Sequence, residues 1–147
     1  MNMHERKGDI SDLNEIYQLE KIIFKDEAWT QEMLKIELLS SENSKTLIIE
    51  EHGRILGYLM SRSIFAEHNI INIGVFPPIQ KEGIGTMLLS SFLKSIKNSS
   101  SVFLEVKKSN LKAIELYKTI GFKVFDQRKN YYKDGSSALM MNYCKVY

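Results

Sequence analysis

Between residues 69 and 106 a β-forming run, a proline pair, a glycine pair, an amphipathic helix and a second β-forming run follow one another without a break. Residues 69–76 read as a strand that Pro77 and Pro78 stop, because proline donates no ladder hydrogen bond. A loop over 79–82 leads to Gly83 and Gly85. Met87, Leu88, Leu89, Phe92, Leu93 and Ile96 then recur at helical spacing. Residues 102–106 form a short apolar strand. A strand that feeds a glycine loop and then a helix has to lay that helix back on a sheet, which commits the chain to an α/β fold.

The flanking segments fit that frame. Asp12 and Glu15 have capping-box spacing, ahead of an apolar stripe at Leu13, Ile16, Tyr17, Ile23 and Phe24. Thr30 suits the N-cap of a second helix bearing Met33, Leu34, Leu38 and Leu39. Residues 46–50 and 55–65, with Gly53 in the turn between them, read as a hairpin. Ser109 or Asn110 caps a further helix with Ala113, Ile114, Leu116, Tyr117 and Ile120, and Gly121 is its expected left-handed terminator. Residues 122–132 and 136–146 form a last hairpin around Asp134 and Gly135. The expected order is ααβββαβαββ, a mixed, mostly antiparallel sheet flanked by helices. No repeat or linker divides residues 1–147, which read as one domain. A chain of 147 residues buries roughly 68–70% of its unfolded surface and needs no metal or disulfide to fold.

Composition narrows the function. The 20 basic and 18 acidic residues leave a net charge of +2, without the basic excess of a dedicated nucleic-acid binder. The single cysteine, Cys144, forms no internal disulfide, which favours a reducing, cytoplasmic setting. It lies in an apolar run and reads as a packed or partly exposed thiol rather than a nucleophile, which would need a positioned base. The polar N-terminus is not a signal peptide, and no apolar run approaches the ~18 residues of a membrane span. His4, His52 and His68 show no ligand spacing, so no metal is expected.

The glycine loop is an anion site in physical terms. Glycines let a ligand approach the backbone, and free N–H groups at a helix N-terminus attract negative charge. A pyrophosphate suits such a site; a tight turn with no ligand would use the same residues. No Walker loop is present. A dinucleotide fingerprint would need a small residue where Leu88 stands, although Glu105 does follow Gly85 by 20 residues. Glu105 interrupts an otherwise apolar strand, either as a solvent-facing acid or as a working carboxylate. Tyr117, inside an apolar helical stripe, fits a core position as well as a catalytic one.

Gln80-x-x-Gly83-x-Gly85, between a strand and a Leu-rich helix, resembles the coenzyme A loop of the GNAT acetyltransferase superfamily. The run from Leu104-Glu105-Val106 through Ser109-Asn110 and Leu116-Tyr117 to Gly121-Phe122 resembles its RimI-type branch, the ribosomal-protein-alanine acetyltransferases. Glu20, Trp29-Thr30 and the segment from Arg128 through Tyr131-Tyr132 to Asp134-Gly135 match that branch as well, so the resemblance covers nearly the whole chain. The chain departs from the pattern in three places. Lys107 replaces an arginine, Ala28 replaces a proline, and Glu82 stands before the first glycine where an acid is unusual.

The resemblance implies transfer of an acetyl group from acetyl-CoA to an amine, without a metal. It implies Glu105 as general base and Tyr117 as the acid that protonates the departing thiolate. The backbone N–H of Val75 would polarise the thioester carbonyl, with Ile73 and Gly74 lining the same place. Lys81, Glu82, Gly83, Ile84, Gly85 and Thr86 would hold the pyrophosphate, and Asn110 the pantetheine arm. Trp29, Arg128 and Tyr131 belong to the acceptor side, where strand packing is the other reading of the last two. A protein α-amine has a pKa near 8 against about 10.4 for lysine, so one modest base serves an N-terminus more easily. A protein N-terminus, a ribosomal protein's among the possibilities, is therefore the expected acceptor, with neither nucleic acid nor membrane involved. A small-molecule amine or an internal lysine is the alternative, and a non-catalytic coenzyme A-binding module is the third reading.

Overall fold

The computed structural model describes residues 2–39 and 42–146, and of Lys81 the backbone alone. The elements are β1 (Met3–Lys7), α1 (Leu13–Phe24), α2 (Gln31–Leu38), β2 (Ser44–Glu51), β3 (Arg54–Ile64), β4 (Glu67–Val75), α3 (Ile84–Ser95), β5 (Ser100–Lys107), α4 (Leu111–Ile120), β6 (Lys123–Arg128) and β7 (Ala138–Lys145). They build one seven-stranded sheet in the order β1-β2-β3-β4-β5-β7-β6. Every neighbouring pair is antiparallel except β4 and β5.

Strand alternation sends adjacent side chains to two different cores. Ile48, Tyr58 and Met60 pack with Ile16, Leu19, Leu34 and Leu38, so α1 and α2 cover one face. Ile49, Leu59, Ile70, Val102, Leu104 and Val106 pack with Leu88, Leu89, Phe92, Ile114 and Tyr117, so α3 and α4 cover the other. Close approach of α3 to β3 depends on Gly57, where a Cβ would sit 2.9 Å from Ile84 Cγ2 and 3.1 Å from the Gly74 carbonyl oxygen.

The fold class is the expected one, and local details shift. A strand, β1, precedes the helices. Its charged sequence shows no apolar alternation because it is an edge strand held by Arg6, which donates to Glu50 at 2.8 Å and to Asp12 at 2.7 and 3.0 Å. Asp12 is thus occupied and does not cap α1. The capping box lies three residues earlier, where Asp9 caps a 3₁₀ turn over Ile10–Asp12 and the Asp9 N–H donates to Asp12 at 2.9 Å. Thr30 caps α2 and Asn110 caps α4 as expected. The last hairpin has shorter strands than the sequence suggests, so Tyr131 and Tyr132 sit in the connecting loop rather than in a strand. Among the described residues no helix is long and apolar enough to cross a membrane.

Candidate active site

The parallel pair in the sheet is only half made. β4 and β5 pair from Glu67↔Ser101 to Ile70↔Leu104 and no further, although β4 continues to Val75 and β5 to Lys107. The register of β3 against β4 shifts at this point: Ser61 faces Ile70 and Met60 faces Asn72, leaving Ile71 as an extra residue. Such a bulge bends its strand away from its neighbour. The result is an opening between the C-terminal halves of β4 and β5.

Backbone direction in the opening follows from the pleat. The Phe76 N–H donates to the Leu56 carbonyl at 2.8 Å and so points toward β3. Successive residues alternate, so the polar groups of Val75 and Ile73 point the other way, into the opening. The Val75 carbonyl accepts a hydrogen bond from Gln80 Nε2 at 3.2 Å, which ties the glycine loop to the strand end.

That loop is a 3₁₀ segment over Pro77–Glu82 followed by Gly83, whose φ of 83° is left-handed. Gly83 is the N-cap of α3 and no side chain caps the first turn, so the N–H groups there face outward. A Cβ at Gly83 would meet nothing within 4 Å. Gly85 has a different cause: a Cβ there would lie 2.9 Å from Leu116 Cδ2, so this glycine lets α3 pack on α4. Ile84 is buried and anchors the helix start, while Glu82 and Thr86 are exposed. The Glu82 carboxylate therefore stands in solvent. The Lys81 side chain lies outside the described residues. Asn110 Oδ1 accepts from the Ala113 N–H at 3.3 Å, so this side chain serves as the N-cap of α4.

On the α1/α2 face the opening widens into a cleft of about 540 Å³. Trp29, Ile71, Phe103 and Met140 give it apolar walls, and Glu105 and Tyr132 stand at one end. Glu105 is exposed, and its Oε1 accepts from Tyr131 Oη at 3.4 Å. Tyr131 packs edge-on against Tyr132, and Arg128 lies over the Tyr131 ring. Lys107 straps this end together: it pairs with Glu27 before α2 and with Asp134 of the β6–β7 loop at 2.9 Å, and it lies 5.3 Å from the Tyr132 ring centre. The Glu27 hydrogen bond, then that of Asp134, holds the Lys107 ammonium above its usual pKa.

Tyr117 approaches from the opposite face, within the α3/α4 core and edge-on to Phe122. Burial, with a smaller contribution from Tyr132, pushes its hydroxyl up to about 12. Tyr132 is itself raised, first by burial and then by the negative charge of Glu105. Tyr132 thus lies within electrostatic reach of both Tyr117 and Glu105.

The Trp29 wall of the cleft rests on a buried carboxylate. Glu20 is 0% exposed. Its Oε1 accepts from Tyr58 Oη at 2.6 Å and Asn72 Nδ2 at 2.8 Å, and its Oε2 accepts from the Trp29 N–H at 2.8 Å. A carboxylate is tolerated in such a place only when its lone pairs are filled in this way. Burial and the Glu20 charge hold the Tyr58 hydroxyl far above its ordinary pKa. This knot fixes Trp29 on the wall and Asn72 in the diverging half of β4. Gly74 belongs to the same region, since a Cβ there would lie 2.7 Å from Tyr58 Oη.

Of the residues expected from sequence, Trp29 and Glu105 line the cleft, Tyr131 is hydrogen-bonded to Glu105, and Ile73, Gly74 and Val75 lie in the diverging half of β4. The Ile84, Gly85 and Thr86 backbone lies at the adjoining helix start. Arg128 reaches the site only through Tyr131. Tyr58, Asn72, Glu37 and Arg62 escaped the sequence reading; a glutamate on the buried stripe of α1 was the one signal for the first two. Among the described residues no cluster of three or more His, Cys, Asp or Glu could hold a metal ion.

A profile of the Acetyltransferase (GNAT) family matches residues 10–122. The N-alpha-acetyltransferase of Sulfolobus acidocaldarius is 29% identical over 156 residues, covering 96% of this chain and 92% of that protein. The ribosomal protein bS18-alanine N-acetyltransferase of Haemophilus ducreyi is 31% identical over 105 residues, covering 67% of this chain and 72% of its own length. In fold the chain is similar to the crystal structure of the ribosomal-protein-S18-alanine N-acetyltransferase from Escherichia coli. The TM-score is 0.91 over 99% of this chain and 95% of the other, at 24% identity.

Proposed function

Because the chain belongs to the GNAT acetyltransferase family, we propose that it moves the acetyl group of acetyl-CoA to the α-amine of a protein N-terminus. The observation that carries this reading is the opening between β4 and β5. It has a glycine-rich helix start at its end, Glu105 on one face and Tyr117 on the other.

The residues fit a thioester donor. The free N–H groups at the start of α3 hold a pyrophosphate, and the space at Gly83 lets it approach the backbone. The Val75 N–H, directed into the opening, donates to the thioester carbonyl oxygen as charge builds there. Glu105 takes a proton from the acceptor amine, directly or through water, and Tyr131 orients its carboxylate. Tyr117, kept protonated by burial, delivers a proton to the leaving sulfur. The amide bond forms, the carbon–sulfur bond breaks, and the free thiol of coenzyme A leaves.

The acceptor class is supported by the cleft, which runs on past Glu105 between Trp29 and Phe103 and has the room and walls of a peptide site. Relatives named as N-alpha-acetyltransferase and as ribosomal protein bS18-alanine N-acetyltransferase support an N-terminal amine. A ribosomal-protein N-terminus beginning with alanine is the acceptor to test first. Cytoplasmic chemistry fits the lone, exposed Cys144 thiol.

The test is a split between binding and turnover. Glu105→Gln keeps acetyl-CoA affinity within about twofold and lowers turnover by about 10²-fold or more. Turnover equal to wild type removes Glu105 from the reaction.

A further inference from the structure

The cleft continues beyond Glu105 to a charged pair that the acetyl-transfer chemistry does not use. Arg62 of β3 donates through Nε and Nη2 to Glu37 of α2, with Nε 3.0 and 3.1 Å from the two carboxylate oxygens. The two partners are unequally placed. The Glu37 side chain is 3% exposed, whereas that of Arg62 is 57% exposed, and both line the cleft. Among the described residues Nη1 of Arg62 makes no hydrogen bond. The buried acid therefore holds the guanidinium in place, and the guanidinium presents its remaining donors to the cleft.

Register fixes where this lies relative to the chemistry. Arg62 pairs with Asn69, and Asn69 with Phe103, so the three stand in one row across β3, β4 and β5. Glu105 is two residues further along β5 on the same face. At about 3.3 Å per residue and 4.8 Å per strand, Arg62 is roughly 12 Å from Glu105. An extended acceptor with its α-amine at Glu105 and its chain running along the cleft brings its fourth or fifth residue to Arg62, at about 3.4 Å per residue.

We propose, resting on the N-terminal acceptor reading, that Arg62 is a specificity residue that selects acceptors with an aspartate or glutamate at the fourth or fifth position. A planar guanidinium with free N–H groups matches a carboxylate, and its orientation is set in advance by Glu37. The apolar walls at Ile71 and Phe103 exclude water and strengthen the contact. A lysine at the same position meets the exposed cation while the compensating carboxylate lies buried behind it.

The experiment uses peptides that begin with alanine and carry Glu, Gln or Lys singly at positions two to seven, with kcat/KM measured for each. The expected result is a Glu-to-Lys ratio of about tenfold at position four or five, falling toward one at positions two and seven. Arg62→Gln alone leaves a buried carboxylate unpaired and could fail to fold. The double variant Glu37→Gln, Arg62→Gln keeps hydrogen-bonding partners without charge, and in it the ratio falls to about one at every position. A flat ratio in the wild type, or a preference that survives in the double variant, overturns the assignment and leaves N-terminal acetylation standing. Acetylation of none of the peptides overturns both.

Discussion

Tyr131 Oη donates to Glu105 Oε1 across 3.4 Å, a long hydrogen bond between the β6–β7 loop and strand β5. It links the carboxylate at the opening to the aromatic loop whose Tyr132 lines the cleft. Tyr131→Phe removes that link and leaves the ring. A neutral hydrogen bond contributes about 0.5–1.5 kcal/mol, so KM for a peptide acceptor should rise by up to about tenfold, with KM for acetyl-CoA unchanged. Equal KM values for both substrates in steady-state kinetics would show that the contact does not matter to acceptor binding.

Tyr117 predicts the shape of the pH profile. Burial raises its hydroxyl to about 12, so the neutral, proton-bearing form persists across pH 6–10. If that hydroxyl is the acid, kcat/KM rises as the acceptor amine deprotonates near pH 8 and then stays level to about pH 10. Tyr117→Phe lowers the plateau by about 10²-fold without moving the rise. An alkaline fall between pH 8 and 10 that Tyr117→Phe abolishes would mean that Tyr117 titrates far lower and that its burial is not the controlling effect.

The Glu20 knot predicts a stability effect at a distance from the reacting atoms. Tyr58→Phe deletes a 2.6 Å donor to a carboxylate with no exposed surface. The variant should lose about 1–3 kcal/mol, read as a lower urea midpoint at an unchanged slope. An unchanged midpoint would show that Asn72 and the Trp29 N–H satisfy the carboxylate by themselves.

The glycine loop separates backbone strain from ligand contact. Gly83 is left-handed, and a Cβ there touches nothing. Asparagine tolerates that conformation, so Gly83→Asn should keep stability within about 1 kcal/mol of wild type. Its side chain would project into the space assigned to the pyrophosphate, so acetyl-CoA affinity, measured by calorimetry, should fall at least about tenfold. Wild-type affinity would remove the phosphates from this loop.

These predictions draw unequally on the sequence. The glycine loop, Glu105 and Tyr117 stand out as candidates because each lies in a short run whose residue types and spacing are themselves the signal. The opening that joins them does not, because it arises from one extra residue at Ile71 and from a register that stops at Ile70 and Leu104. Both strands look ordinary in one dimension. The Glu20 knot joins residues 9, 38 and 52 positions apart, and Arg62 meets Glu37 across 25, so no local pattern announces either. β1 was missed for another reason: an edge strand of charged residues held by Arg6 shows none of the apolar alternation by which strands are read.

The central claim is tested most directly by incubating the protein with acetyl-CoA and mixed peptides, then mapping the new acetyl groups by mass spectrometry. The mixture holds free N-termini with different first residues, alanine among them, together with internal lysines. Acetyl groups on N-terminal α-amines, with lysines left bare, are the predicted result. Acetyl groups on lysines with the N-termini left free would contradict it.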